Sequence, residues 1–164
     1  MKKVLISLLA IVAIAGIGLW QFAGTAKAAP QVSFTMLDGE TITTSDLLGK
    51  VVLVKFWATS CVTCIQQMPD TIKTYNRLSP QGYDVIAVAM DYDPPDYVRN
   101  FTESRQLPFD VSLDTTGEIA KAFDDVKLTP TAFLIDKKGR IIKRYLGNYD
   151  SAAFAATVEK ALAG

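Results

Sequence analysis

The period of hydrophobic and polar positions changes several times along this chain, and each change marks an element. Residues 31–37, QVSFTML, alternate as a short strand; DGE then turns the chain, and TIT returns as the second arm of a hairpin. SDLLGK reads as a helical turn capped by Ser45 and closed by Gly49. Residues 51–58, VVLVKFWA, are β-branched and aromatic with little alternation, the pattern of a central strand covered on both faces. One charged residue, Lys55, breaks that run. From Cys61 to about Leu78 the period is helical: Cys64, Met68, Ile72 and Tyr75 recur at spacings of three and four, while Gln66, Lys73 and Arg77 fall elsewhere. Pro69 sits inside this helix and is expected to kink it.

Further on, YDVIAVAM (83–90) is a second buried strand. DYDPPDYVRNFTESRQ opens a helix, with Asp93 as the expected N-cap and Pro94 at its first position. The acidic cluster of Asp91, Asp93 and Asp96 reads as a solvated turn. VSL (111–113) is a short strand and TTGEIAKAFD a short helix. TAFLID (131–136) and IIKRYLG (141–147) form an antiparallel hairpin about KKGR, and a terminal helix begins at Ser151. Strands alternating with helices, then a hairpin and a last helix, predict an α/β fold: a mixed central sheet with helices on both faces and an extra N-terminal hairpin.

The first 28 residues stand apart. MKK is a positive start, Val4 to Trp20 is an apolar run broken only by Ser7, and Ala26-Lys27-Ala28 gives a small-x-small end. That order is the signature of an export signal. Its apolar run of 17 residues suits either a cleaved signal peptide or an N-terminal membrane anchor, for which about 20 are typical. The expected division is therefore residues 1–28 as signal or anchor and 29–164 as one exported domain.

Charge narrows the function little. The chain carries 17 basic and 17 acidic residues; without Lys2, Lys3 and Lys27 the exported part has 14 against 17. No basic stripe marks a nucleic-acid partner. There is no histidine, which removes the commonest general base and the commonest transition-metal ligand.

Chemistry concentrates in KFWATSCVTCIQQMP, residues 55–69, which holds both cysteines. Cys-x-x-Cys between a buried strand and a helix start points to redox work. Unpaired N–H groups and the helix dipole at that end stabilise a thiolate by about 0.3–2 kcal/mol. That assigns Cys61 as the attacking thiol and Cys64, one turn in on the apolar face, as the resolving thiol. As a staple the pair contributes only about 2 kcal/mol, because the loop it closes is so short. A structural zinc site lacks ligands, and haem attachment is excluded because Ile65 follows the second cysteine. A Cu(I) site from Cys61, Cys64 and either Met68 or Met90 stays open as the rival reading, a copper-binding assembly factor.

VVLVKFWATSCVTC followed by LTPTAFLIDKKGRI resembles the thioredoxin superfamily, and in particular exported thiol–disulfide oxidoreductases of the TlpA/ResA type, over roughly residues 31–163. The resemblance implies a thioredoxin fold, with a redox-active Cys61–Cys64 disulfide in place of any separate cofactor. It also implies that Trp57 and Ala58 shape the site, and that Thr129-Pro130 is a cis peptide beside the cysteines where a substrate strand pairs. Its substrates would be proteins with disulfides or thiols, and a membrane electron donor would re-reduce it. The direction it favours is reduction, with a disulfide oxidant as the same chemistry reversed.

Three positions depart from that family. Val62-Thr63 between the cysteines lacks the proline many relatives carry, and Gln67 stands where an acidic residue is common. Lys55 occupies the strand position where thioredoxins hold a buried aspartate. Two expectations for Lys55 follow. Either it points beneath the site and takes over the proton chemistry of the missing carboxylate, or its stem packs on the sheet while its head reaches solvent or an acid.

Overall fold

The computed structural model describes residues 26–164, so most of the expected signal or anchor lies outside the described residues. Among the described residues seven strands and four helices follow in order: β1 Ser33–Thr35, β2 Thr41–Thr43, β3 Val51–Trp57, α1 Val62–Leu78, β4 Tyr83–Ala89, α2 Pro95–Arg105, β5 Asp110–Leu113, α3 Glu118–Ala122, β6 Thr131–Ile135, β7 Ile141–Leu146 and α4 Ser151–Ala163. The main sheet runs β5-β4-β3-β6-β7, and β1 and β2 form a separate antiparallel pair. β3, β4 and β5 are parallel, whereas β6 and β7 join antiparallel.

β3 is the middle strand, and every one of its seven residues is buried. Its apolar run has no alternation because both faces are covered. On one face Val51, Leu53 and Trp57 pack with Cys64 and Met68 of α1, Val98 of α2, and Phe154 and Val158 of α4. On the other face Val52, Val54 and Phe56 pack with Phe34, Leu47 and the α3 residues Ile119 and Ala120. Phe56 meets Phe123 and Phe133 edge-to-face there, and Phe123 and Phe133 are tilted to each other, with centroids 5.2–6.1 Å apart.

Several local expectations need correction. The turn after β2 is a 3-10 turn, Thr44–Leu47, capped from Thr43 and not from Ser45. Thr43 donates its N–H and its hydroxyl to Asp46, at 2.8 and 2.6 Å, while the Ser45 hydroxyl donates to Gln31. Helix α2 begins at Pro95 with Pro94 as its N-cap, so Asp93 does not cap it. At the expected leader–domain boundary, Lys27 and Ala28 lie against the start of β7. The Lys27 carbonyl accepts from the Ile141 N–H at 2.8 Å, and Ala28 bridges Arg140.

Candidate active site

β3 delivers the chain to the C-terminal end of the parallel strands, and Ala58-Thr59-Ser60 turn it into α1. Cys61 is the N-cap of α1, with extended backbone at φ −86° and ψ 99°. Its Sγ accepts the Cys64 N–H at 3.2 Å, the place a capping oxygen usually fills. A sulfur held there faces the unpaired N–H groups of the first helical turn, which favours negative charge on it. The two cysteines are joined as a disulfide, with Cα atoms 5.2 Å apart. Cys61 is half-buried and Cys64 wholly buried, so the first sulfur is the one a partner reaches.

Register brings the proline to the same place. Phe56 pairs with Thr131 across β3 and β6, which sets Pro130 beside Trp57 at the cysteine end of the sheet. The Thr129-Pro130 peptide is cis. Thr129 is half-buried ahead of the β6 ladder, and its hydroxyl lies 3.4 Å from that of Tyr92. Large apolar side chains are exposed at this end of the molecule: Val62 next to Cys61 is 70% exposed, and Tyr92 beside Thr129, Tyr97 beside Ser60, and Leu128 are exposed as well. A cavity of about 530 Å³ opens beside Thr59 and Ser60, walled by Tyr97, Asn100, Phe101 and Ser104 of α2.

Trp57 does not line this surface. It is completely buried and packs on Phe101 with ring centroids 5.2 Å apart, so it supports the groove from beneath. Met68 is in the core beside Cys64, whereas Met90 belongs to the apolar layer on the opposite face of the sheet. The third-ligand candidates for copper therefore reduce to one, and that one is packed as core.

Lys55 is also fully buried, and its head reaches neither solvent nor a carboxylate within bridging distance. Its sheet neighbours in register are Ala87 and Ala132, whose small side chains leave room for the stem. Nζ donates to Gln67 Oε1 at 3.0 Å and to Thr71 Oγ1 at 3.3 Å, and sits 5.7 Å from the Tyr149 ring centroid. Gln67 in turn donates to the Gly147 carbonyl at 3.1 Å and to Asn148 Oδ1 at 2.9 Å. Burial pulls the Lys55 ammonium down to about 8, opposed by the carboxylate of Asp70.

Asp93 was missed from sequence as a site residue. It is only 5% exposed, and its carboxylate accepts the Thr59 N–H at 2.6 Å and the Thr59 hydroxyl at 2.5 Å. A buried carboxylate with two charge-assisted bonds fixes the turn just ahead of Cys61. Asp93→Asn keeps the shape and loses the charge. The expected cost is about 1 kcal/mol, read as a lower urea midpoint, and an unchanged midpoint would count against this role.

The Redoxin family profile matches residues 24–162. The thiol–disulfide oxidoreductase ResA of Bacillus thuringiensis subsp. konkukian is 38% identical over 122 residues, which is 74% of this chain and 69% of that protein. ResA of one Bacillus cereus strain is 32% identical over 134 residues, 82% of this chain and 76% of that one. Among solved structures, a thiol:disulfide interchange protein of the thioredoxin family from Chlorobium tepidum TLS superposes with a TM-score of 0.77. It is 26% identical, and the match covers 85% of this chain and 98% of that one. The chain belongs to the Redoxin family, and its Cys61–Cys64 centre is that of a thiol–disulfide oxidoreductase.

Proposed function

We propose that this protein reduces disulfides of exported proteins, with Cys61 as attacking thiolate and Cys64 as resolving thiol. The observation that carries the assignment is the asymmetry of the pair: Cys61 caps α1 at the surface, and Cys64 lies buried one turn behind it. In the reduced enzyme the Cys61 thiolate attacks one sulfur of a substrate disulfide. A Cys61–substrate bond forms, the substrate disulfide breaks, and its other sulfur leaves as a thiolate that takes a proton from water. Cys64 then attacks Cys61, forming the Cys61–Cys64 bond seen here and releasing the second substrate sulfur. Two electrons pass from the cysteine pair to the substrate.

A substrate strand would lie along Thr129 and Pro130, with side chains against Val62, Leu128 and the Tyr97–Phe101 wall; these are the exposed apolar and half-open surfaces around Cys61. Export to the bacterial periplasm or the outer face of the inner membrane is supported by the charged, apolar and small-residue order of residues 1–28. A membrane electron donor would restore the dithiol there, because that compartment supplies no soluble reducing pool. The test is the reduction potential against glutathione. A reductant is expected near about −270 mV or below, and a value near about −120 mV would make the protein an oxidant.

A further inference from the structure

Lys55 is the one charged residue of β3, the exchange steps above do not use it, and burying an amine without an acid beside it is costly. Its position gives the cost a reason. Nζ ends against Gln67, which is three residues after Cys64 on α1, or about 5 Å along the helix axis. Cys64 and Lys55 are both completely buried on the same side of the sheet. The titratable groups facing this pocket are Asp70 on α1, Tyr149 before α4, Tyr145 on β7 and Tyr83 on β4. Of these only Asp70 carries a carboxyl group, and it is exposed.

We propose that Lys55 is the buried charge partner of the resolving thiol, a positioning residue whose ammonium, held by Gln67 and Thr71, stabilises the Cys64 thiolate. This rests on the assignment of Cys61 as attacker and Cys64 as resolver. At the mixed-disulfide stage Cys64 is a thiol. Loss of its proton to water leaves a thiolate buried on the same face of β3 as the Lys55 ammonium. That thiolate attacks Cys61 Sγ, the Cys61–Cys64 bond forms, and the bond from Cys61 to the substrate breaks with both electrons on the departing sulfur. A cleft of about 10 Å³ between α1 and α4, about one water in size, runs from exposed Asp70 to Thr71 and Gln67, the two residues that hold the Lys55 ammonium. Gln67 suits the arrangement: its carbonyl oxygen accepts from Lys55 while both other contacts hold its amide in place, so no carboxylate competes for the ammonium.

The reduced full-length protein is mixed with dithiobis(nitrobenzoate) across pH 5–10, and the coloured thiolate is followed in two phases. The first phase reports attack by Cys61 and the second resolution by Cys64. In Lys55→Met the ratio of second-phase to first-phase rate is expected to fall about tenfold at pH 7. The inflection of the second phase is expected to rise by about one pH unit, the equivalent shift. An unchanged ratio and inflection overturn the proposal while leaving the cysteine assignment standing. A first phase that survives Cys61→Ser overturns the assignment instead. Nuclear magnetic resonance of the Lys55 side chain in the wild-type protein avoids any question of folding. Coupling is reciprocal, so wherever Cys64 is ionised in the reduced protein the Lys55 ammonium must persist to higher pH than in the oxidised protein; a Cys64 thiolate without that persistence also overturns the proposal.

Discussion

Replacing Cys61 by serine is expected to lower catalysed reduction of a protein disulfide by on the order of a thousandfold or more. The serine fits the N-cap position well, and the helix end stabilises a thiolate, but a hydroxyl remains almost wholly protonated in the same field. Folding is therefore retained while the nucleophile is lost. Cys64→Ser behaves differently. Its Cys61 still attacks, but no buried sulfur displaces the substrate, so a Cys61–substrate mixed disulfide accumulates and turnover stops. Insulin turbidity measures the first effect and intact-mass spectrometry of the trapped adduct the second. Turnover by Cys61→Ser within tenfold of wild type would move the attack to Cys64, against its complete burial.

The contrast between what the residues announced and what they concealed follows the range of each interaction. β3 and α1 were readable because an unbroken apolar run and a three-four spacing are local signals, and the Cys61 N-cap lies where those two patterns meet. The cis Thr129-Pro130 peptide has no signal in its own neighbourhood; it came from the resemblance, and the structure contains it. Asp93 looked like a helix cap because its local context, an acid before prolines, fits that role. Its carboxylate instead goes to Thr59, 34 residues away, and no period or spacing records such a bond. Helix α1 carries a similar surprise. Gln67, Thr71 and Thr74 are buried beside the apolar stripe, a polar strip that pattern reading discards as solvent-facing. Two of those residues receive the Lys55 ammonium. The lone lysine in an apolar strand was visible from the start, but the two readings of it differed in where its head would go. The alanines at its cross-strand positions decide that, and they depend on a register no single strand encodes.

Lys55 also makes a prediction about stability that is independent of catalysis. In the disulfide form no thiol titrates, so the lysine can be isolated. Its ammonium is held down to about 8, from 10.5 for an unburied lysine, with burial as the main cause. Between those two values the unfolded chain binds more protons than the folded one, so this group makes stability rise as pH rises. Below about pH 8 the full cost of burying the charge is present, on the order of 3 kcal/mol. Above 10.5 it is gone. Methionine fills a similar volume without that cost, but it leaves Gln67 Oε1 with no donor from β3, a loss of about 1–2 kcal/mol. Lys55→Met is therefore expected to be about 1–2 kcal/mol more stable than wild type at pH 7 and less stable above about pH 10.5. The two stability curves should cross in between. Urea unfolding of the oxidised proteins at a series of pH values measures the difference, and comparing variants cancels the contributions of the groups they share. Parallel curves would mean that Lys55 holds no buried charge, and the partnership with Cys64 would lose its physical basis.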